Sequence, residues 1–357
     1  MPHLLVDISS HGYGHVSQTS AVVNELTRLK PGLRVTVRTS APFKFLQSRF
    51  ECEFQHIPAA FDFGMKMTNA VDVQIAESAA AYREFHSGWD QKVAREADVM
   101  RQLKPDLLLA NVPYLSLAAA KVAGIRAAAM CSLNWADIYQ HYCVVDTPSQ
   151  AIYKQMMEAY NGAECFLRVW PGMVMPALNN LRDIQTIARI GRDYRPLVAE
   201  KCTLSEGEKL VLVAMGGMEF RLPMHAWPNI PGVRWIVPQS WEVMREDTTA
   251  LESLGMSFAD LLTSCDAIMT KPGYGTFTEA ACAGIPVLYI RRGDWPEESC
   301  LLQWLHQNVA CLEVEREALQ AGAVEISLKK LWGLPRPPKP DATGAVEAAS
   351  FLITTFL

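Results

Sequence analysis

Short apolar runs alternate with amphipathic helical stretches along the chain, and this alternation limits the fold more than any other feature of the sequence. Residues 4–8 form one such run, which is followed by a glycine-containing loop and a helical pattern over residues 16–29. The second half repeats this order from residue 210, where an apolar run ends in a Gly-Gly pair. Apolar strands that alternate with helices build parallel sheets covered by helices on both faces. The sequence therefore predicts an α/β protein.

The 357 residues are enough for two domains of ordinary size. A polar stretch over residues 191–196 follows the last strand pattern of the first half, and residues 334–340 are rich in proline. We therefore predict a first domain over residues 1–190 and a second over residues 191–340. We expect the helix within residues 341–357 to return to the first domain.

The strand patterns fall into two groups, one in each predicted domain. The predicted strands cover residues 4–8, 34–39, 53–57, 107–110, 127–130 and 165–169 in the first group, and residues 210–215, 233–237, 267–270, 287–290 and 311–314 in the second. A single unbroken helix is predicted over residues 75–103. Ligands of doubly wound sheets bind beyond the carboxyl ends of the strands. We therefore expect the ligand in a cleft between the two domains.

Composition excludes several classes of function. The net charge is −5 and no basic run occurs, which argues against a nucleic-acid partner. None of the nine cysteines is spaced C-x-x-C, so they are interpreted as reduced, buried residues of a cytoplasmic protein and not as metal ligands. The N-terminus has no leader pattern, and no apolar stretch approaches the ~18 residues that span a membrane. Peripheral contact with a membrane stays open.

The segment over residues 271–279 combines a loop that contains glycine with the start of a helix. Gly273 and Gly275 allow a tight turn after the predicted strand, and a helix is predicted to begin at Thr276. Free backbone N–H groups and the helix dipole at such a position favour a phosphate. Alternatively, Thr276 and Glu279 form a capping box that only closes the end of the helix. Spacing alone does not separate these two interpretations.

A second glycine loop follows the first predicted strand and contains Gly12, Gly14 and His15. No Asp or Glu ends the second predicted strand, so the carboxylate that binds ribose in an NAD site is missing and we reject that cofactor. A neutral His15 at the start of the helix can accept a proton from a sugar hydroxyl. A role in capping the helix is equally compatible with its position. Asp7 stands alone at the end of the first strand, which predicts no metal site there.

Three further sets of residues follow predicted strands of the second domain, where a ligand is expected. Without a ligand, the glycines would be interpreted as an ordinary turn and the charged side chains as solvated surface positions. The residues are Gly216 and Gly217, Lys271, and the acidic group Asp294, Glu297 and Glu298.

Together these motifs resemble the GT-B glycosyltransferases, in which two Rossmann-like domains of doubly wound parallel sheet face each other across a cleft. The histidine-bearing first loop and the loop–helix that ends in Thr-x-x-Glu look most like glycosyltransferase family 28. Residues 258–300 and 4–26 are closer still to the glycosyltransferase-like N-terminal half of L-arabinokinases. The kinase half of those proteins has no counterpart in this sequence.

The resemblance implies a role for each matching residue on the donor side. Glu279 falls where the family binds the nucleotide ribose, and Phe258 precedes the helix that borders the base pocket. The loop and helix start that hold the diphosphate match Gly273, Tyr274, Gly275 and Thr276, while the second-domain glycine loop and a basic position match Gly216, Gly217 and Lys271. The donor-sugar positions match Asp294, Glu297 and Glu298. Family 28 usually has amides where Glu297 and Glu298 stand, so a different sugar is expected.

The resemblance implies an inverting glycosyltransferase that moves a sugar from a nucleotide-sugar, expected to be UDP-linked, to a hydroxyl acceptor without a metal ion or bound cofactor. His15, or Asp7 acting through it, is expected to deprotonate the acceptor, and Gly12 and Gly14 line the same loop. Two alternatives stay open: a nucleotide-sugar hydrolase and a non-catalytic regulator that binds a nucleotide-sugar. The apolar loop over residues 61–67 suits a small aromatic or lipid-like acceptor, a mobile lid or a dimer contact.

Overall fold

The computed structural model describes residues 1–217 and 220–357, which form two compact units. The first unit contains residues 1–68, 73–187 and 342–357, and the second contains residues 69–72 and 188–341. Each unit contains one sheet of parallel strands together with the helices that connect them. The prediction of an α/β protein with two Rossmann-like sheets is confirmed.

The sheet of the first unit has seven parallel strands in the order β3-β2-β1-β4-β5-β6-β7. These strands are β1 (His3–Ile8), β2 (Arg34–Arg38), β3 (Gln55–Ile57), β4 (Leu107–Asn111), β5 (Ala127–Cys131), β6 (Cys165–Val169) and β7 (Leu181–Ile184). Strands β1 and β4 are fully buried along their length. A strand buried on both faces has no polar side, which explains its continuous apolar pattern.

The sheet of the second unit has six parallel strands in the order β10-β9-β8-β11-β12-β13. These strands are β8 (Lys209–Ala214), β9 (Val233–Val237), β10 (Thr248–Ala250), β11 (Ala267–Thr270), β12 (Val287–Tyr289) and β13 (Cys311–Glu313). In both sheets the chain starts in the middle, builds outward to one edge and then returns to build the other side.

The helices connect successive strands and are named in chain order. Those that belong to the first half are α1 (Gly14–Leu29), α2 (Phe43–Arg49), α3 (Ile75–His86), α4 (Trp89–Leu103), α5 (Tyr114–Ala123), α6 (Trp135–Cys143) and α7 (Thr147–Asn161). Those that follow are α8 (Arg195–Lys201), α9 (Phe258–Thr263), α10 (Tyr274–Ala283), α11 (Glu298–Asn308), α12 (Arg316–Gln320), α13 (Glu325–Trp332) and α14 (Gly344–Phe356).

The position where the strand order reverses defines a crevice in each sheet. It lies between β1 and β4 in the first unit and between β8 and β11 in the second. Loops that leave these two strands at their carboxyl ends run in opposite directions, so a ligand can enter between them. The loops in question begin at residues 9 and 112 in the first unit and at residues 215 and 271 in the second.

The prediction of one unbroken helix over residues 75–103 is wrong, because the segment forms α3 and α4 with a break between them. Ser87 has extended backbone angles, and Gly88 has a φ of 67°. A left-handed backbone costs little at glycine, which lets the chain turn there between two helices. The apolar pattern continues on both sides of the break and therefore hides it.

Four residues of the long loop after β3 belong to the second unit. Ala70 and Val71 are 1% and 4% exposed and pack in the hydrophobic core with Val213 of β8 and Trp235 of β9. In the other direction, α14 packs against α1 and β7 in the first unit. At these two places a segment of the chain belongs to a different unit from the residues that precede it.

Candidate functional site

The crevice of the first unit contains the loop that follows β1. Gly12 has a φ of 84°, a backbone conformation that glycine adopts without strain, and α1 begins two residues later at Gly14. A Cβ atom built on Gly14 would meet nothing within 4 Å, so the fold itself does not require glycine there. His15 is the second residue of the helix and is 7% exposed.

A chain of buried hydrogen bonds holds the imidazole of His15. Its Nδ1 lies 2.9 Å from Oδ1 of Asn111, which ends the neighbouring strand β4. The amide of Asn111 donates to Oε1 of Gln18 at 3.1 Å, and the amide of Gln18 donates to Oγ of Ser132 at 3.0 Å. With the amides oriented in this way, Nδ1 carries the proton and Nε2 carries the lone pair. A base needs this tautomer if it is to accept a proton through Nε2.

Burial lowers the pKa of His15 to about 4, and the hydrogen bond to Asn111 opposes this shift. The imidazole is therefore neutral at physiological pH. Its partner is an uncharged amide, which orients the ring and stabilises an imidazolium through a hydrogen bond but without an opposite charge. The surroundings thus favour a correctly oriented but weakly basic group.

Asp7 belongs to a different network from His15. Both of its carboxylate oxygens accept hydrogen bonds from Arg38, at 2.7 and 2.6 Å, and a second carboxylate, Glu96, binds the same guanidinium at 2.5 Å. Asp7 and Arg38 are 0% and 2% exposed. Within the described part of the chain no hydrogen bond joins Asp7 to His15. The geometry therefore assigns Asp7 to a buried ion pair, and Asn111 occupies the position beside the imidazole.

The crevice of the second unit brings two glycine loops to one lysine. Gly216 follows β8 with a φ of 88°, and its Cβ atom, if present, would lie 3.4 Å from Cε of Lys271. Nζ of Lys271 lies 3.5 Å from the corresponding position on Gly273 and donates to the carbonyl of Pro272 at 3.3 Å. Gly217 is the last described residue before the two that the structure leaves out. The ammonium group therefore lies at the switch point, next to both loops.

Burial lowers the pKa of Lys271 to about 7, with a further contribution from the charge of Arg292 and an opposing one from Glu297. A lysine with this pKa is only partly charged near neutral pH. An anion bound beside it would raise the pKa and restore the full charge. Such a group is suited to binding a diphosphate, because the interaction strengthens as the anion enters.

Helix α10 begins at Tyr274, two residues earlier than predicted, with Gly273 at the N-cap. Glycine has no side chain that could cap the helix. Thr276 lies inside the first turn and Glu279 in the second, so these two cannot form the capping box that the spacing allowed. The capping interpretation is therefore wrong. The N-terminus of α10 follows the loop that leaves the carboxyl end of β11, and the dipole of a helix that begins at such a position favours an anion.

The remaining donor-side candidates differ in their surroundings. Glu279 is 4% exposed and lies in the second turn of α10. Phe258 is the first residue of α9 and is half-buried, and Ser257 caps this helix by accepting from the backbone N–H of Asp260. Tyr274 is 5% exposed.

Glu297 and Glu298, which follow β12, form hydrogen bonds within their own segment. Glu298 accepts from the backbone N–H of Arg292 at 2.6 Å and lies 3.5 Å from the guanidinium of Arg291. Glu297 accepts from Nε1 of Trp295 at 3.3 Å. Both glutamates are 5% exposed, whereas Asp294 is exposed. The charge of Glu297 also raises the pKa of Lys271, which places this glutamate near the lysine at the switch point.

The sequence analysis missed Asn111 and Gln18 as partners of His15. Asn111 follows the predicted strand over residues 107–110 directly, so its place at a carboxyl end was a usable signal. Gln18 lies one turn after His15 on α1. What the sequence does not indicate is the pairing of β1 with β4, which brings position 111 to position 8.

Two classes of feature are not found in the described residues. Over residues 1–217 and 220–357, no three His, Cys, Asp or Glu side chains come together in a way that could hold a metal ion. No helix in this part of the chain is long and apolar enough to cross a membrane.

Known proteins resemble the chain in sequence and in structure, although no protein-family model matches it. L-arabinokinase from Arabidopsis thaliana is 24% identical over 319 residues, which make up 88% of this chain and 30% of that protein. The chain therefore spans less than a third of the length of this relative.

Solved glycosyltransferases share the whole architecture. The glycotransferase of kitacinnamycin superposes with a TM-score of 0.63 at 15% identity and 100% coverage of both chains. SnogD from Streptomyces nogalater has a TM-score of 0.55 at 15% identity, with 99% of each chain covered. UGT89C1 from Arabidopsis thaliana, in complex with UDP-L-rhamnose, has a TM-score of 0.58 at 14% identity and the same coverage. The chain therefore has the GT-B fold.

Proposed function

We propose that this protein is a glycosyltransferase that transfers a sugar from a nucleotide-sugar to a hydroxyl acceptor with inversion at the anomeric carbon. The observation that carries this proposal is the crevice of the second unit, where Gly216, Lys271 and Gly273 meet the open N-terminus of α10. These groups supply backbone donors, a helix dipole and a titratable cation to one anion. A diphosphate leaving group needs all three.

The resemblance to glycosyltransferase family 28 supports the remaining donor contacts that we propose. Glu279, on the same helix as the phosphate-binding turn, accepts hydrogen bonds from the ribose hydroxyls. Phe258 borders the base, and Glu297 binds hydroxyls of the sugar, while Tyr274, Gly275, Thr276 and Asp294 complete the loops. UDP is the nucleotide we favour, because UGT89C1, which has the same fold, is described in complexes with UDP and with UDP-L-rhamnose.

On the acceptor side, Nε2 of His15 takes the proton from the acceptor hydroxyl as its oxygen attacks the anomeric carbon. The bond from that carbon to the diphosphate oxygen breaks on the opposite face, so the electron pair leaves with the nucleoside diphosphate. Lys271 and the dipole of α10 stabilise the developing negative charge. For this reason we propose that no metal ion takes part. UGT89C1 is also described with quercetin, which supports a small hydroxylated acceptor.

A second candidate function is nucleotide-sugar binding without transfer. It is favoured by the relative in Arabidopsis thaliana, whose name describes a sugar kinase and not a glycosyltransferase. In such a protein the donor crevice would report the nucleotide-sugar concentration to a partner. A nucleotide-sugar hydrolase, with water as acceptor, is the third.

One set of incubations separates the three candidates. The purified protein is mixed with UDP-sugars, with and without hydroxylated acceptors, and products are followed by NMR of the anomeric proton. Transfer predicts an acceptor-dependent product of inverted configuration that survives EDTA and is lost in His15→Gln and in Glu279→Gln. Hydrolysis predicts UDP release at the same rate without acceptor. A regulator predicts binding that persists in His15→Gln and no turnover in any mixture.

A further inference from the structure

A carboxyl group outside the predicted site residues is buried in the first unit. Asp62 is 6% exposed. Its Oδ1 accepts from Oγ of Ser9 at 2.8 Å, and its Oδ2 accepts from Nε1 of Trp135 at 2.8 Å. Both donors are neutral, and no Lys, Arg or His binds this carboxyl among residues 1–217 and 220–357. A buried acid without a cation is costly to ionise, which makes a purely structural role a poor explanation.

The indole that Asp62 holds reaches both histidines of the first glycine loop. The ring of Trp135 lies 5.0 Å from that of His11, edge to face, and 5.6 Å from that of His15. A Cβ atom on Gly64 would lie 2.7 Å from the ring of His11 and 2.8 Å from that of Trp135. The loop that contains Asp62 therefore packs tightly against the rings of His11 and Trp135. Its residues Phe61, Asp62, Gly64 and Met65 are buried, so the loop is not an exposed apolar surface within this unit.

The hydrogen bond from Nδ1 of His15 to Asn111 fixes one edge of the imidazole, but the ring can still tilt about that bond. The indole of Trp135 lies against the ring and limits this tilt. We propose that Asp62 is a positioning residue for His15, which acts by anchoring Trp135, and that the protonation state of its carboxyl group sets how firmly the indole is held. This inference rests on the role of His15 in the proposed function.

The raised pKa of the Asp62 carboxyl group is the physical reason why its hold on Trp135 depends on pH. Burial raises the pKa of Asp62 to about 7, and the charge of Asp7 adds to this, while the hydrogen bonds from Ser9 and Trp135 oppose it. An ionised carboxylate forms a stronger hydrogen bond with the indole N–H than a neutral acid does. Loss of the proton therefore tightens the anchor of Trp135, and uptake of the proton loosens it.

Burial moves the pKa values of His15 and of the neighbouring tyrosines away from this range. His15 has a pKa lowered to about 4 by burial, and burial raises that of Tyr139 on α6 to about 12. Burial also raises the pKa values of the tyrosines on α3, α5 and α7 well above their usual range; these are Tyr82, Tyr114 and Tyr160. Asp7 and Glu96 are paired with Arg38. His11 also contacts the indole and needs its own variant.

The anchor can be observed directly by NMR on the full-length, ¹⁵N-labelled chain. The indole N–H signal of Trp135 is assigned as the one that Trp135→Phe removes, and it is followed from about pH 5 to about pH 9. We expect it to shift with a midpoint near neutrality, in the wild type and in His11→Gln but not in Asp62→Asn. A signal that does not titrate, or that still titrates in Asp62→Asn, would overturn the proposal.

The effect on His15 is tested by a second readout. Asparagine can accept from Trp135 and donate to Ser9, so Asp62→Asn keeps the geometry and mimics the protonated acid. We expect kcat of the wild type to rise through neutral pH, and kcat of Asp62→Asn to stay severalfold lower and flat, with donor affinity unchanged. A wild-type pH profile in Asp62→Asn would contradict the positioning role.

Failure of the proposed function is recognised separately, because it appears as the absence of nucleotide-sugar binding or transfer. In that case the imidazole signals of His15 decide the present inference. They must shift with the same midpoint as the indole of Trp135 in the wild type and stay constant in Asp62→Asn. Constant His15 signals in the wild type would overturn it.

Discussion

At the scale of single residues, His15 and Lys271 show how much the sequence can reveal. Both were found from their place in a glycine loop after an apolar strand, a signal that depends only on local order. Their chemistry depends on burial and on partners far away in the chain, such as Asn111, which lies 96 positions from His15. No local pattern predicts such a partner or a pKa of about 7 at Lys271.

Donor affinity should depend on pH through Lys271. Because burial lowers the pKa of this lysine to about 7, it must take up a proton to bind the diphosphate at higher pH. We expect the affinity for a nucleotide-sugar to fall as the pH rises above 7, with proton uptake visible by calorimetry in buffers of different ionisation enthalpy. Lys271→Arg, which stays charged, should flatten this dependence. An unchanged dependence in Lys271→Arg would exclude Lys271 as its source.

The amide of Asn111 should set the acid limit of activity. Its replacement by a carboxylate in Asn111→Asp places a negative charge beside the imidazole and raises the pKa of His15 from about 4. The neutral base is then lost at a higher pH, so the acid limb of the kcat/KM profile should move toward neutrality. A profile that stays in place would mean that His15 is not the group that accepts the proton.

At the scale of elements, the core strands and the edge strands β3 and β13 were predicted, whereas the other two edge strands were not. β9, β11 and β6 have the predicted bounds, because strands that are buried on both faces consist mostly of consecutive apolar residues. The edge strands β7 and β10 were missed, since their residues are partly exposed and carry no such run. The start of α10 was misplaced because the polar Thr276 was taken as its first residue, whereas Gly273 is the N-cap.

Gly273 offers a test of the anion site at this scale. It has extended backbone angles, and an added Cβ would make ordinary contacts, so the fold tolerates alanine there. We expect Gly273→Ala to leave the melting temperature unchanged within about 2 °C, or about 0.5 kcal/mol. It should nevertheless weaken nucleotide-sugar binding at least tenfold, because a methyl group blocks the approach of the phosphate.

The matched control is Gly333→Ala in the same unit, which also meets only ordinary contacts and lies outside the crevice. It should change neither stability nor binding. If Gly273→Ala and Gly333→Ala bind the nucleotide-sugar equally well, the phosphate does not bind at the loop that contains Gly273.

At the scale of the whole molecule, the order of the units along the chain was the least predictable property. No pattern in residues 69–72 indicates that they pack in the second unit, since four residues carry no periodicity. The parallel, doubly wound character of the sheets was predictable, because strands that alternate with helices follow general rules of connection and handedness. A segment that leaves its own unit to pack in the other follows no such rule, because its position depends on how its side chains fit into the core of that unit.

The excursion at residues 69–72 should contribute to the stability of the second unit. Val71 is 4% exposed within its core, so Val71→Asp would bury a charge there. We expect this variant to lose roughly 3 kcal/mol or more of unfolding free energy in denaturant titrations. Ile326→Asp, at a position that is 82% exposed in the same unit, is the control and should lose almost nothing. Equal stability of the two variants would show that the segment does not belong to the core.

Binding of a nucleotide-sugar in the switch-point crevice of the second unit underlies the proposed function, and calorimetric titration with UDP-sugars measures it. We expect saturable binding to the wild type and much weaker binding to Glu279→Gln, which removes the charge of the carboxylate proposed to bind the ribose without changing its size. At a ligand concentration of about a hundredfold Kd, the wild type should also gain about 2.7 kcal/mol of stability. A folded protein that binds no nucleotide-sugar, or that binds it equally well as Glu279→Gln, would show that the crevice is not the donor site.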